Sequence, residues 1–260
     1  RIPHHPTTPL VRTITMTRFH VLRILRSLFL LATLAPALAE PRFTTPEADR
    51  DGLEIEESKK EGLPNVLILG DSISIGYTRP VVAELKEIAN VRRPKANCGD
   101  TPMGLKNLDQ WLGDTKWDVI HFNWGLWDLC YRHPESKVQG KRDKVNGTIS
   151  TPLDQYTENL EKLVLRLKKT GATLIWASTT VVPEHEAGRF VGDDVKYNQA
   201  AAELMKKHGV AINDLHAHSL TIQDQLVGRG NVHFTKRGSA SLAKQVANAI
   251  RKALEARPHP

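Results

Sequence analysis

Cysteine is scarce. The 260-residue chain has only two, Cys98 and Cys130, and neither stands at a metal-ligand spacing. A zinc ribbon and a disulfide-dense scaffold are therefore excluded. Long apolar runs are missing as well. The longest covers residues 27–39, short of the roughly 20 apolar residues that a membrane span needs. There is no internal repeat and no low-complexity tract. The net charge of +7 is also less than it looks, because five of those charges belong to residues 1–39, which hold no acid. The remainder offers no electrostatic stripe for a phosphate backbone, so nucleic acid is not an expected partner.

What is present begins with an address. Met16 is followed by Arg18, His20, Arg23 and Arg26, then by an apolar run that ends in Ala37-Leu38-Ala39. A basic part, an apolar part and a small-residue end in that order make a secretory signal peptide, with cleavage near Ala39. Residues 1–15 precede the first Met and read as an over-extended reading frame or a tail without a fold. Export, periplasmic or secreted, is the expectation. Residues 40–62 are acidic with few apolar side chains and read as a linker. The folded domain is expected over 63–258.

From Leu63 the pattern changes. Residues 65–69 are a continuous apolar run closed by Gly70, as in a buried strand. Further strands are expected over 117–122, 172–178 and 210–215, with a weaker one around 91–96. Helices are expected over 80–90, 151–169, 195–207 and 239–254. Gly209 is expected to stop the third helix and Thr235 to cap the last. Strands alternating with helices predict an α/β fold, with a parallel sheet covered on both faces. In such sheets ligands bind beyond the carboxyl ends of the strands.

The chemistry-bearing residues stand at those ends. Gly70-Asp71-Ser72 follows the first strand, and a turn there can present a hydroxyl; an isolated serine is more often a helix cap. Asn231-Val232-His233 precedes the last helix and can supply a base with a pKa near neutrality. Two Gly-containing loops lie between them, Asn97-Cys98-Gly99 and Asn123-Trp124-Gly125-Leu126-Trp127-Asp128. Their backbone N–H groups can approach a ligand closely and line an oxyanion hole.

Taken together, these blocks resemble the SGNH hydrolase superfamily, the GDSL-type esterases, over roughly residues 63–256. The resemblance implies a three-layer α/β/α sandwich with a five-stranded parallel sheet in flavodoxin-like order 2-1-3-4-5. It makes Ser72 the nucleophile and His233 the base. Ser72 and Gly99 (with Gly104 as a rival) become oxyanion donors. No cofactor and no metal are implied. Two departures stand out. Trp127 occupies the place of the family's asparagine donor, so Trp127 or Asn123 would supply that contact. Gly230 stands where the triad aspartate is usual, which leaves Asn231 or Asp224 to orient the imidazole. The resemblance also places Cys98 and Cys130 on neighbouring loops, where an exported protein could join them in a disulfide; two buried thiols are the rival. The activity implied is hydrolysis of an ester, most plausibly an acetyl group on a carbohydrate. A lipase or thioesterase, or a non-catalytic carbohydrate-binding protein on a degenerate hydrolase fold, are the alternatives.

Other residues carry less. His216 and His218 flank Ala217 beside Asp214, and on a strand they would share one face as metal ligands. His121 in its apolar strand reads as core. Asn146 begins a glycosylation acceptor triplet. Trp124, Tyr131 and Arg132 could form a sugar-binding rim. Residues 179–189, with Thr180 and Arg189, are expected to build a pocket wall.

Overall fold

Val66, Leu67, Ile68 and Leu69 are apolar on both faces of one strand, a pattern suited to a strand covered on both sides, and all four are buried. They belong to β1 (Asn65–Leu69) in the computed structural model, which describes residues 60–257. The expected signal peptide and nearly all of the expected linker lie outside the described residues. The chain continues through α1 (Ser72–Glu84), β2 (Asn90–Arg92), α2 (Thr101–Leu112) and β3 (Val119–Phe122). A lobe follows, containing the antiparallel pair β4 (Tyr131–Arg132) and β5 (Thr148–Ile149). Then come α3 (Leu153–Lys168), β6 (Thr173–Ala177), α4 (Asp193–His208), β7 (Ala211–Asn213), α5 (Leu215–Thr221) and α6 (Lys236–Glu255).

The main sheet runs β2-β1-β3-β6-β7, with every pairing parallel. This is the five-stranded 2-1-3-4-5 order expected from the resemblance. The chain leaves β1 to one side for β2 and returns to the other for β3. Ser72 therefore stands at the switch point where open α/β sheets bind ligands. Among the described residues, no helix is long and apolar enough to cross a membrane.

Helix faces follow the apolar spacing. Tyr156, Leu160, Leu163, Val164 and Leu167 of α3 are buried, as are Leu242, Ala243, Val246, Ala247 and Ile250 of α6. Gly209 ends α4 in the left-handed conformation at φ 64°. Thr235 caps α6 by accepting a hydrogen bond from the Gly238 N–H at 3.2 Å. Both were expected.

Three local expectations fail. The first helix starts at Ser72, capped by the Asp71 side chain, and runs through Pro80 rather than beginning there. Proline removes one hydrogen bond to the residue four positions back, here Gly76, and the α1–α6 contact holds the helix despite that loss. Gly76 makes close packing possible: a Cβ at that position would lie 3.0 Å from Ser239 Oγ of α6. Helix α2 was not anticipated. Nor was α5, which carries His216 and His218 on a helix instead of a strand. Helical spacing turns the two rings apart, so His216 meets Asp194 and His218 meets Ser241.

Candidate active site

Helices α1 and α6 pack against each other and begin at the same sheet edge. Ser72 is the first residue of α1, and His233 lies three residues ahead of α6. The loop before α6 is fixed by backbone hydrogen bonds, from Val227 N–H to His233 O at 2.9 Å and from Thr235 N–H to Gln225 O at 2.8 Å. Two stretches 161 positions apart thus meet, with Ser72 Oγ 2.8 Å from His233 Nε2.

The other ring nitrogen fixes the tautomer. Asn231 Oδ1 lies 2.9 Å from the His233 backbone N–H and 2.8 Å from His233 Nδ1. A backbone N–H can only donate, so the Asn231 oxygen, not its NH2, faces the histidine. An acceptor at 2.8 Å requires Nδ1 to carry the proton. Nε2 then presents its lone pair to the Ser72 hydroxyl. Of the two candidates, Asn231 is the one in contact with the ring. Asp224 is not: it lies exposed in the short 3-10 turn Gln223–Gln225.

Gly230 cannot carry the usual acid, and the reason is steric. Its φ is +69°, and a Cβ there would lie 2.5 Å from the His185 carbonyl oxygen. Any side chain at 230 would strain the backbone and collide with the segment at 185–186.

That segment starts a charged cluster. Glu186 is fully buried. Its Oε1 accepts from Arg142 and from Arg189 Nη1, the latter at 3.0 Å, and its Oε2 accepts the Gly188 N–H at 2.6 Å. Arg189 Nε donates to Leu126 O at 2.7 Å, tying the cluster to the loop after β3. Burial holds the His233 pKa below its ordinary value; Arg189 and Arg142 push it further down, and Glu186 opposes them. The imidazole is therefore neutral at neutral pH. Arg189 was expected in a pocket wall. Glu186 and Arg142 gave no sequence signal, because they stand 44 positions apart.

The turn that carries Ser72 is braced from below. Asp71 is buried and accepts the Ile73 N–H at 2.9 Å; Ser74 Oγ donates to Asp71 O at 2.7 Å. Burial raises the Asp71 pKa, against the pull of that hydrogen bond and of Arg189 and Arg93. The buried Arg93 guanidinium donates to Gly70 O at 3.4 Å and to Ala96 O at 3.3 Å.

The candidate oxyanion donors are differently placed. The Ser72 N–H opens α1 and belongs to the first-turn groups that lack an intrahelical acceptor. Gly99 has φ +59°, and its N–H donates to Asn97 Oδ1 at 3.0 Å. Asn123 Nδ2 donates to Ala177 O at 2.7 Å and to Thr179 Oγ1 at 3.3 Å, which commits its amide to the end of β6. Trp127 is half-buried, and the Arg132 guanidinium stacks 4.7 Å from its ring centroid. Gly104, the rival glycine, lies within α2, where a Cβ would meet the Trp124 ring at 2.9 Å; its place is a packing contact. Asp128 accepts the Thr101 N–H at 2.8 Å and hydroxyl at 2.6 Å, joining this loop to the start of α2.

The disulfide is not formed: Cys98 and Cys130 are both free and buried. Their surroundings explain why. Cys98 packs in the core beside Arg93 and Tyr77, and burial raises its thiol pKa to about 11. Cys130 instead lies against Gly188 and the Tyr131 carbonyl. His121 is a core residue, as expected. It is buried, stacks edge-on to Tyr77 and contacts Asn213 at 3.1 Å, and burial lowers its pKa to about 3. Among the described residues no group of three His, Cys, Asp or Glu side chains could hold a metal.

No family model matches the sequence, and no curated protein does. Solved structures do. An acetyl xylan esterase, AlAXEase, superposes with a TM-score of 0.59 at 15% identity, covering 72% of this chain and 99% of that one. The acetylxylan esterase Axe2 from Geobacillus stearothermophilus gives 0.58 at 17%, covering 72% and 94%. A lipase/acylhydrolase from Enterococcus faecalis gives 0.57 at 17%, covering 76% and 100%. At these identities the likeness establishes a shared fold, the one expected from the SGNH-type resemblance.

Proposed function

We propose that this chain is an exported serine esterase that removes an acyl group, acetyl in the first place, from a carbohydrate. The carrying observation is the Ser72 Oγ–His233 Nε2 contact of 2.8 Å, with Nδ1 engaged by Asn231 at 2.8 Å. The acetyl xylan esterases that share the fold support the choice of substrate class.

The steps follow from the tautomer. Ser72 Oγ attacks the ester carbonyl carbon while its proton passes to His233 Nε2. The Ser72 N–H at the start of α1 serves the developing oxyanion, with the Trp127 indole as a further donor; the Gly99 N–H joins them only by leaving Asn97 Oδ1. Collapse expels the alcohol, which takes the proton from Nε2 and leaves an acyl-serine. Water then attacks the acyl carbon and gives its proton to Nε2. That proton returns to Ser72 Oγ as the carboxylic acid departs.

A fluorophosphonate probe tests the nucleophile. Covalent labelling at Ser72, lost in Ser72→Ala and in His233→Ala, is expected. An unlabelled but correctly folded protein would favour a non-catalytic binding role. A chain-length series of 4-nitrophenyl esters then separates an acetyl esterase from a lipase-like acyl hydrolase, the reading suggested by the Enterococcus neighbour.

A further inference from the structure

We infer that Arg142 and Arg189 form an anion-binding subsite, and that the ester this protein acts on is borne by an acidic carbohydrate, with a carboxylate or sulfate close to the acylated hydroxyl. The inference rests on the esterase reading for its substrate and on separate geometry for its charge.

The cluster has two guanidinium groups and one carboxylate. Glu186 is saturated, with Oε1 taken by both arginines and Oε2 by the Gly188 N–H. Arg189 also spends its Nε on Leu126 O, and Arg142 its Nε on Gln139 O at 3.0 Å. Buried Asp71 also faces Arg189, together with Arg93, so three guanidinium groups stand against two carboxylates; one positive charge is left over in a largely buried setting, and such a charge is costly until an anion joins it. Arg189 is only 5% exposed along its side chain, whereas Arg142 is 21% exposed and reaches water. The pair thus runs from the catalytic wall to the surface. With Nε and Nη1 of each arginine engaged, it is Nη2 that is left to donate a charge-assisted hydrogen bond to a carboxylate or a sulfate.

The surroundings carry the same sign. Residues 131–147, which include β4, hold five Lys and Arg against two carboxylates. Arg132 stacks on Trp127, giving a flat apolar surface beside a cation. Lys144 Nζ donates to Arg189 O at 3.2 Å, adding a cation at the cluster's edge.

The charge also bears on catalysis. Arg142 and Arg189 both disfavour the imidazolium that His233 must become. A bound anion would cancel that effect while the substrate is present. A neutral substrate leaves the base opposed by its own pocket wall.

Two measurements separate this inference from the reading it extends. Binding is measured by calorimetry on Ser72→Ala, with trigalacturonate, a sulfated trisaccharide and xylotriose as probes. Either or both anionic sugars should bind at least about tenfold more tightly than xylotriose, the factor worth about 1.4 kcal/mol. The preference should shrink in high salt and fall severalfold or more in Arg142→Gln made in the same background. The separate arms tell carboxylate from sulfate. Equal affinities for all three sugars, or a preference that Arg142→Gln leaves intact, would overturn the inference. Arg142 is chosen because the more deeply buried Arg189 risks the fold; an Arg142→Lys variant should keep part of the preference. Hydrolysis of 4-nitrophenyl acetate, compared with Ser72→Ala, tests the esterase reading alone. An active enzyme with no anion preference loses only the inference, and an anion preference in an inactive protein loses only the esterase.

Discussion

On the esterase reading, Asn231→Asp should raise the rate of hydrolysis. The substitution keeps an acceptor oxygen where Oδ1 now receives the His233 backbone N–H at 2.9 Å and Nδ1 at 2.8 Å. It adds a negative charge beside a ring that becomes positive in the transition state. With the charges about 4 Å apart and an effective dielectric of about 20, the Coulomb gain is roughly 4 kcal/mol. Desolvation of the new carboxylate offsets much of this, and a net of about 1–2 kcal/mol corresponds to roughly one unit of His233 pKa and about tenfold in rate. The reverse exchange in a Ser-His-Asp protease costs about 10⁴, which bounds the effect from above. The assay is the pH profile of kcat/KM for 4-nitrophenyl acetate, whose acidic limb reports the free enzyme's base. In the wild type, burial, Arg189 and Arg142 hold the His233 pKa below 6.5 against Glu186, so the rate falls only as pH drops through that lowered value. In Asn231→Asp the limb should move to higher pH, by about one unit, while the plateau rises. Asn231→Ala frees the tautomer and should lower the plateau by roughly 10²-fold or more. A limb that stays in place in Asn231→Asp, in a protein that melts like the wild type, would refute the pairing of Asn231 with the base.

Two contrasts complete the test set. Gly230→Asp restores an acid at the family's usual position, but here it should destabilise by more than about 2 kcal/mol and rescue nothing, since φ is +69° and a Cβ would lie 2.5 Å from His185 O; thermal melts and the same pH profile check it, and a well-folded, faster variant would contradict the steric argument. Asp128→Asn should raise stability at pH 8 but not at pH 4. Burial lifts the Asp128 pKa from 3.8 to about 7, so the folded state keeps a proton that the unfolded chain releases, and stability declines as pH rises between those values. The Tm of the variant should exceed the wild type's by several degrees at pH 8, about 2–4 °C per kcal/mol. No gain at pH 8 would mean that the carboxylate is better accommodated than its burial implies.

Much of the fold was legible because its central strands are apolar on both faces. The run at 66–69 could be little else, and the 3.6-residue spacing of Tyr156, Leu160, Leu163 and Leu167 named a face before any packing was seen. What was lost had physical causes. Pro80 looked like a helix start, yet it sits in the middle of α1, where contact with α6 through Gly76 outweighs one missing hydrogen bond. Helix α5 is seven residues long, too short for periodicity to separate from the strand before it. In the site, Ser72 and His233 were legible as strand-end and helix-start residues. The cluster of Arg142, Glu186 and Arg189 was not, because each residue alone is an unremarkable charge and only the lobe after β3 brings Arg142 to the other two.

The absence of an acid at position 230 and the net-positive wall behind His233 have one origin. The segment at 185–186 presses against position 230 so closely that only glycine fits, which removes the aspartate from its usual place. The same segment carries Glu186, whose carboxylate is spent on Arg142 and Arg189 rather than on His233 Nδ1. The His233 ring therefore meets a neutral amide and a net-positive wall where the resemblance would have a direct carboxylate partner. Here the His233 backbone N–H holds the Asn231 oxygen, not its NH2, toward the ring, so the tautomer with the proton on Nδ1 is kept; what is lost is charge compensation for the imidazolium. Beyond the opposing pull of Glu186, compensation comes from what binds. An anionic substrate restores in the complex what the free protein lacks, and that dependence is a basis for selectivity a Ser-His-Asp triad does not have.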